Sequence, residues 1–314
     1  MTARARSAIR ATRLAGGAIL AACVALAAAA PSSAASVTRP AAAAAVAAAS
    51  APSRVATGPS GVRAREAAIA DAATGRVLWS RELNTERPMA SITKVMTALV
   101  VIAAGDLGRR ITVPSAVIAY VRAYDASSAG LRPGDILTAS QLLYALLLPS
   151  GADAAYTLAV AYGPGTAAFV AKMNATARTL GLTRTHFTNF DGLPYPTGYS
   201  TYSTAASLIK LGLAAMKSAV FRSITGRRTY RIRPGSGHHA YFWPNINPLL
   251  GVYPGAIGIK TGWTPFAGHC LLFEATRDGR TFIGVNLDSP GAGPMVSAAD
   301  ATHMLNWAFG LPGR

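Results

Sequence analysis

An α/β (α+β) domain, with an antiparallel sheet drawn from both ends of the chain and a helical subdomain from its middle, is the fold class the sequence predicts. Three observations carry it. Strand-like apolar runs flank a turn near residue 72, helical periodicity dominates from Ser91 to Lys217, and period-two alternation returns after Ile257.

The first of the 314 residues stand apart from that domain. Arg4, Arg6, Arg10 and Arg13 precede an apolar run from Leu14 to Ala30, and small residues follow at Ser32, Ser33, Ala34 and Ala35. This is the layout of a secretory signal over residues 1–35. A permanent membrane anchor is the alternative, because the run approaches the roughly 18 residues needed to span a bilayer. Leu20-Ala21-Ala22-Cys23 also resembles a lipoprotein signal, against which the apolar run continues through Val24, Ala25 and Leu26. Residues 36–61 are rich in Ala, Pro, Ser and Val without an acidic residue, a composition that reads as linker. The folded domain is therefore assigned to residues 62–314.

Within it, Ala67 to Asp71 and Thr74 to Trp79 read as two strands around a turn that uses Gly75. An apolar helix follows Ser91 and stops near Gly105. Periodicity is weak from there to Pro133, and Leu137 to Leu148 then has helical spacing that ends at Pro149. Ser150 thus falls just past a helix end. Further helices are expected from Ala152 to Tyr162, from Ala167 to Leu180 before Gly181, and from Thr204 to Lys217, with a Tyr-, Pro- and Gly-rich segment at Phe187 to Tyr202. Ile257 and Ile259 lead a strand into Lys260. Leu271 to Ala275 and Phe282 to Leu287 flank the turn Arg277-Asp278-Gly279-Arg280, and Ala298 to Phe309 closes the chain as a helix.

Without the six basic residues before Val62, the domain keeps 24 Lys and Arg against 13 Asp and Glu, a net charge of +11. That charge suits an anionic cell-wall or membrane surface. No nucleic-acid motif is visible and the cations are scattered, so nucleic acid is not the expected partner. Cys270 is the only cysteine of the domain and, flanked by Leu271 and Leu272, is expected to be a buried structural thiol. His186, His238, His239, His269 and His303 lack metal-ligand spacing, and no metal or cofactor is expected.

Chemistry concentrates in three short motifs: Ser91-Ile-Thr-Lys94, Ser150-Gly151-Ala152 and Lys260-Thr261-Gly262. Residues three apart on a helix share a face, so Lys94 lies beside the Ser91 hydroxyl. A serine needs a base within hydrogen-bond reach, and a lysine serves only when burial or a second cation lowers its pKa. Lys94 has apolar neighbours, and Lys260 can be the second cation. Ser-x-x-Lys alone is weak, since Ser207-Leu-Ile-Lys210 matches equally well. Lys260 is one of only five lysines, and ends a strand pattern beside a glycine, an arrangement suited to holding a carboxylate and an extended peptide.

From Arg65 to Phe309 the chain resembles the penicillin-binding serine D-alanyl-D-alanine carboxypeptidases, which share a fold with serine β-lactamases. The resemblance extends to Asp71-Ala-Ala-Thr-Gly75, Pro88 to Lys94, Leu180 to Phe187, Tyr202-Ser-Thr204 and Gly258 to Thr264. It implies that Ser91 attacks the carbonyl between the two terminal D-alanines of a peptidoglycan stem peptide, that Lys94 accepts its proton, and that Ser150 relays a proton to the leaving amine. It further implies a carboxylate site at Lys260 and Thr261, with Gly262 beside it, and an oxyanion hole from the N–H groups of Ser91 and Trp263. The reaction would need no metal, and β-lactams would acylate Ser91.

Two positions depart from the family pattern. Ala152 stands where Asn is usual, and no arginine lies between Thr281 and Pro312 to assist with the carboxylate. No glutamate occurs from Arg87 to Phe273, which argues against β-lactamase deacylation. A D,D-transpeptidase and a catalytically weak wall-binding protein remain as alternatives.

Overall fold

The computed structural model describes residues 58–312. Most of the expected signal and linker, including Cys23, lies outside the described residues. Residues 58–61 do not: Pro59 is buried, and a side chain on Gly58 would strike the Trp79 indole at 2.2 Å. The packed structure therefore takes in the last four residues that composition assigns to the linker.

The chain opens with β1 (Glu66–Asp71) and β2 (Val77–Arg81), a hairpin whose turn uses Gly75 at φ +72°. A 3-10 turn over Ala90–Thr93 leads into α1 (Lys94–Ala104), so the regular helix starts at Lys94 and not at Ser91. The weakly periodic stretch contains β3 (Arg110–Thr112) and α2 (Ala116–Ala123), neither of which periodicity marks. Leu137 belongs to β4 (Ile136–Thr138), and α3 (Ala139–Leu147) begins only after Thr138. The reason is a capping box: Gln141 N–H donates to the Thr138 hydroxyl and the Gln141 side chain accepts from the Thr138 N–H.

Helices α4 (Ala152–Tyr162), α5 (Thr166–Thr179) and α6 (Ala205–Met216) lie where periodicity places them, and α7 (Ala219–Thr225) comes next. A short hairpin, β5 (Thr229–Ile232) with β6 (Tyr241–Pro244), precedes β7 (Ala256–Thr264), β8 (Gly268–Arg277), β9 (Arg280–Ser289) and α8 (Met295–Gly310).

The main sheet has five strands in the order β2-β1-β9-β8-β7, every pair antiparallel. First and last strands are neighbours through β1 and β9. Both sheet faces are covered. Ile69, Leu271, Phe273 and Phe282 pack with Met304 and Leu305 of α8. On the other face Ala68, Ala70, Leu272, Ile283 and Val285 join the helical core. Burying each large apolar side chain contributes about 1.5–3 kcal/mol. Gly212 lets α6 sit close on that face, since a Cβ there would lie 2.7 Å from Ile283 Cδ1. Among the described residues β7 pairs only with β8 and so offers a free edge.

Candidate active site

Ser91 lies in the 3-10 turn, where side chains three apart eclipse one another. Lys94 Nζ accordingly stands 2.8 Å from Ser91 Oγ and also donates to the Asp191 carbonyl at 3.0 Å. The lysine is 1% exposed. Burial lowers its pKa to about 8, against the opposing pull of the Asp191 and Asp153 carboxylates. The amine is thereby brought within range of acting as a base near neutral pH.

The edge strand β7 presses on the same turn. A Cβ on Gly262 would lie 2.8 Å from the Met89 carbonyl and 3.1 Å from Ser91 N, so only glycine permits this approach. Lys260 is 1% exposed, and its Nζ donates to the Thr261 carbonyl at 3.0 Å, with the Thr261 hydroxyl at 3.4 Å. Burial, then the charge of Lys94, holds Lys260 well below the ordinary lysine range. Two buried amines thus share one site. Trp263 comes directly after Gly262, and alternation along the strand turns its indole away from the Ser91 turn. The indole is 58% exposed and lies near the His269 ring.

Ser150 is buried at φ +66°, and its carbonyl accepts from Ser127 Oγ at 2.6 Å. Among the described residues no hydrogen bond joins its hydroxyl to Ser91, Lys94 or Lys260. Its position is fixed by the next two residues, Gly151 and Ala152. Gly151 has no room for a side chain, with Asp153 Oδ1 at 2.6 Å and the Ala145 carbonyl at 2.8 Å from an added Cβ. Ala152 is fully buried and donates its N–H to the Ser127 carbonyl at 2.8 Å. Its methyl offers no polar group where an amide is usual.

The peptidase S11 family, D-alanyl-D-alanine carboxypeptidase, matches residues 51–291. The chain belongs to the D-alanyl-D-alanine carboxypeptidase family. It is 42% identical over 250 residues to the D-alanyl-D-alanine carboxypeptidase of Streptomyces sp. strain K15, covering 76% of this chain and 84% of that protein. It is 40% identical over 245 residues to D-alanyl-D-alanine carboxypeptidase DacB2 of Mycobacterium tuberculosis, covering 77% and 81%. The crystal structure of the Streptomyces K15 DD-transpeptidase superposes with a TM-score of 0.76 at 40% identity, covering 81% of this chain and 100% of that one. The family establishes a serine peptidase of the penicillin-binding fold, acting on D-Ala-D-Ala peptides.

Three residues of this carboxypeptidase site escape motif reading. Asp191 is fully buried, accepts from the Tyr120 hydroxyl at 2.6 Å and from Leu193 N–H at 3.2 Å, and supplies the carbonyl that holds Lys94. Gly192, at φ +84°, lies directly against the Ala90 carbonyl. The Asp-Gly pair inside the Tyr- and Pro-rich segment is a turn signal that marks both. Asp153 is the third. Its carboxylate accepts from Ala129 N–H at 2.9 Å, Leu131 N–H at 3.0 Å, Ser128 Oγ at 2.6 Å and Ala154 N–H at 2.8 Å, tying the α2–β4 connection to the start of α4.

Removing that carboxylate strands three donors from a neighbouring loop. Asp153→Ala is expected to destabilise by about 2–4 kcal/mol, read as a fall of roughly 5–12 °C in the thermal midpoint. A midpoint within about 2 °C of wild type, roughly 1 kcal/mol or less, would show that the loop is held by other contacts.

The second Ser-x-x-Lys pair is structural. Ser207 N–H donates to the capping Thr204 hydroxyl at 3.1 Å, and Lys210 is an exposed residue whose Nζ reaches the Gly181 carbonyl at 3.2 Å. Cys270 is buried in β8, its thiol pushed up to about 12 by burial and placed 3.3 Å from the Ala267 carbonyl.

Proposed function

We propose that this carboxypeptidase works through a Ser91 acyl-enzyme. Ser91 Oγ attacks the carbonyl between the two terminal D-alanines while neutral Lys94 takes its proton. The negative oxygen forms between the N–H groups of Ser91 and Trp263, the terminal carboxylate rests on Lys260 and Thr261, and Ser150 passes a proton to the departing D-alanine amine. Water then attacks the ester and releases the shortened stem peptide. The observation that carries this reading is the 2.8 Å contact between Lys94 Nζ and Ser91 Oγ at a buried lysine.

Acyl transfer to an amine is a second reading, favoured by the similarity to the Streptomyces K15 DD-transpeptidase. Export and peripheral association with an anionic wall or membrane belong to the same proposal. The basic-apolar-small pattern of residues 1–35 and the positive charge of the domain support them. Among the described residues, no helix is long and apolar enough to cross a membrane.

The test is intact mass after exposure to penicillin, peptide mapping of the adduct, and D-alanine release from a D-Ala-D-Ala peptide. An adduct on the peptide that holds Ser91, together with release in water, is the expected result. Release only in the presence of an amine acceptor favours transfer. No adduct and no release would sink the catalytic reading in favour of a wall-binding protein.

A further inference from the structure

A cavity of about 430 Å³ lies between the turn that joins β1 to β2, the end of α6 and strand β8. None of the residues lining it belongs to the three motifs, so the proposed reaction makes no use of it. The turn at its edge is fixed by the Asp71 carboxylate, which accepts from the Thr74 N–H and from the Thr74 hydroxyl, both at 2.8 Å. This side of the cavity is therefore built in advance of any ligand.

Glu274 stands in its wall and is 5% exposed. Alternation along β8 puts it on the same face as Leu272, which packs in the helical core, and a carboxyl buried there needs a partner. Among the described residues no hydrogen bond or ion pair reaches it. Arg222 is the cation whose charge acts on Glu274, but its guanidinium donates to the Met216 carbonyl. Burial pushes the Glu274 carboxyl up to about 7 against the pull of Arg222. Ala72, Ala73, Leu213 and Met216 give the cavity an apolar side, and Lys217 lines it as an exposed cation. A carboxylate, a cation and an aliphatic surface thus share one small volume.

We propose that this cavity binds a free aliphatic α-amino acid, with its ammonium on Glu274, its carboxylate toward Lys217 and its side chain against Leu213 and Met216. The zwitterion answers both signs of charge together. A simple amine would meet the repulsion of Lys217 and Arg222, and a simple carboxylate would meet that of Glu274. The site stands whether or not the acyl-enzyme reading does, because the two share no residue.

Methionine methyl NMR reads the two places separately, since Met216 lines the cavity and Met89 leads into the Ser91 turn. The probe is L-leucine, titrated into the full chain at about pH 8, above the Glu274 pKa, with Met216→Leu assigning the reporting peak. The expected result is a saturable shift of the Met216 methyl with a Kd on the order of 1 mM, while the Met89 methyl stays in place. N-acetyl-L-leucine has no ammonium and is expected to give no saturable shift up to about 50 mM. Glu274→Gln keeps the size of the side chain and is expected to weaken leucine binding by about tenfold or more. Wild-type positions of the Met89 and Met304 methyls show that this variant is folded, and the acetylated probe tests the ammonium contact on the wild type itself. No saturable Met216 shift below about 50 mM overturns the site. Equal binding of the acetylated probe, or of leucine by folded Glu274→Gln, overturns the role of Glu274 and with it the proposal. A shift confined to Met89 would place the amino acid beside Ser91 and likewise overturn it.

Discussion

Lys94→Met is expected to lower kcat/KM for D-alanine release by about three to four orders of magnitude in a protein that still folds. The side chains are alike in length, and Lys94 is fully buried, so methionine fills the same space. What disappears is the amine 2.8 Å from Ser91 Oγ. The fold loses the bond to the Asp191 carbonyl but no longer buries a cation, and removing a buried charge offsets part of that loss. Lys94→Arg separates base from charge. A guanidinium stays protonated and donates hydrogen bonds but never accepts the serine proton. Arginine is therefore expected to be as inactive as methionine, and an arginine variant that keeps substantial activity would assign Lys94 an electrostatic role instead.

The same lysine sets a pH profile. In the proposed mechanism the base is the neutral amine, so acylation needs the proton to be off, and burial has brought the pKa from 10.5 to about 8. At pH 7 about one site in ten then holds a neutral amine, against about three in ten thousand for an ordinary lysine. The rate constant for acylation by penicillin is expected to rise about tenfold per pH unit and to level off above about pH 8. On the same proposal, a carboxylate arriving at Lys260 would favour the proton there, and a charged Lys260 would disfavour protonation of Lys94. A flat profile between about pH 6 and 9 would exclude Lys94 as the base.

Much of this site is legible in the sequence because it is local. Ser91 and Lys94 are three residues apart, and Lys260 to Gly262 form one strand segment, so periodicity and residue type suffice to mark them. The terminal strands are legible for a similar reason: alternation and the Asp278-Gly279 turn are short-range signals. What is not legible depends on contacts between distant parts of the chain. Asp191 lies 97 residues from the lysine it holds, and nothing in its neighbours declares that its carbonyl faces an amine. Ser91 looks helical because Ile92, Val95 and Met96 are apolar, yet the turn beneath it is 3-10. The hairpin of β5 and β6 is hidden among Arg, Gly and His residues, and its strands carry aromatic residues that pack on Tyr144 and on one another. The Thr138 capping box displaces a helix start by two residues, which an apolar count cannot see.

Gly192→Ala is expected to damage both stability and catalysis, and for a reason that a second glycine can isolate. At φ +84° an alanine carries the left-handed penalty of about 1–2 kcal/mol. Its Cβ would also lie 1.9 Å from the Ala90 carbonyl oxygen and 2.7 Å from Thr93 Oγ1, so the backbone on one side must move. Gly279, at φ +71° in the hairpin turn between β8 and β9, meets nothing within 4 Å among the described residues. Gly279→Ala therefore measures the backbone penalty alone, with acylation unchanged. Gly192→Ala adds the collision, for a total of about 3–5 kcal/mol and a thermal midpoint lower by roughly 10 °C. The part that moves is the turn carrying Ser91, and a displacement near ~1 Å there costs about a hundredfold in acylation rate. Both quantities are measurable on one preparation, by thermal unfolding and by penicillin adduct formation well below the midpoint. Equal effects from the two substitutions would mean that the segment from Asp191 to Gly192 yields without disturbing Ser91. A loss confined to Gly192→Ala would mean that this segment holds nucleophile and base in register, through the Ala90 contact on one side and the Asp191 carbonyl on the other.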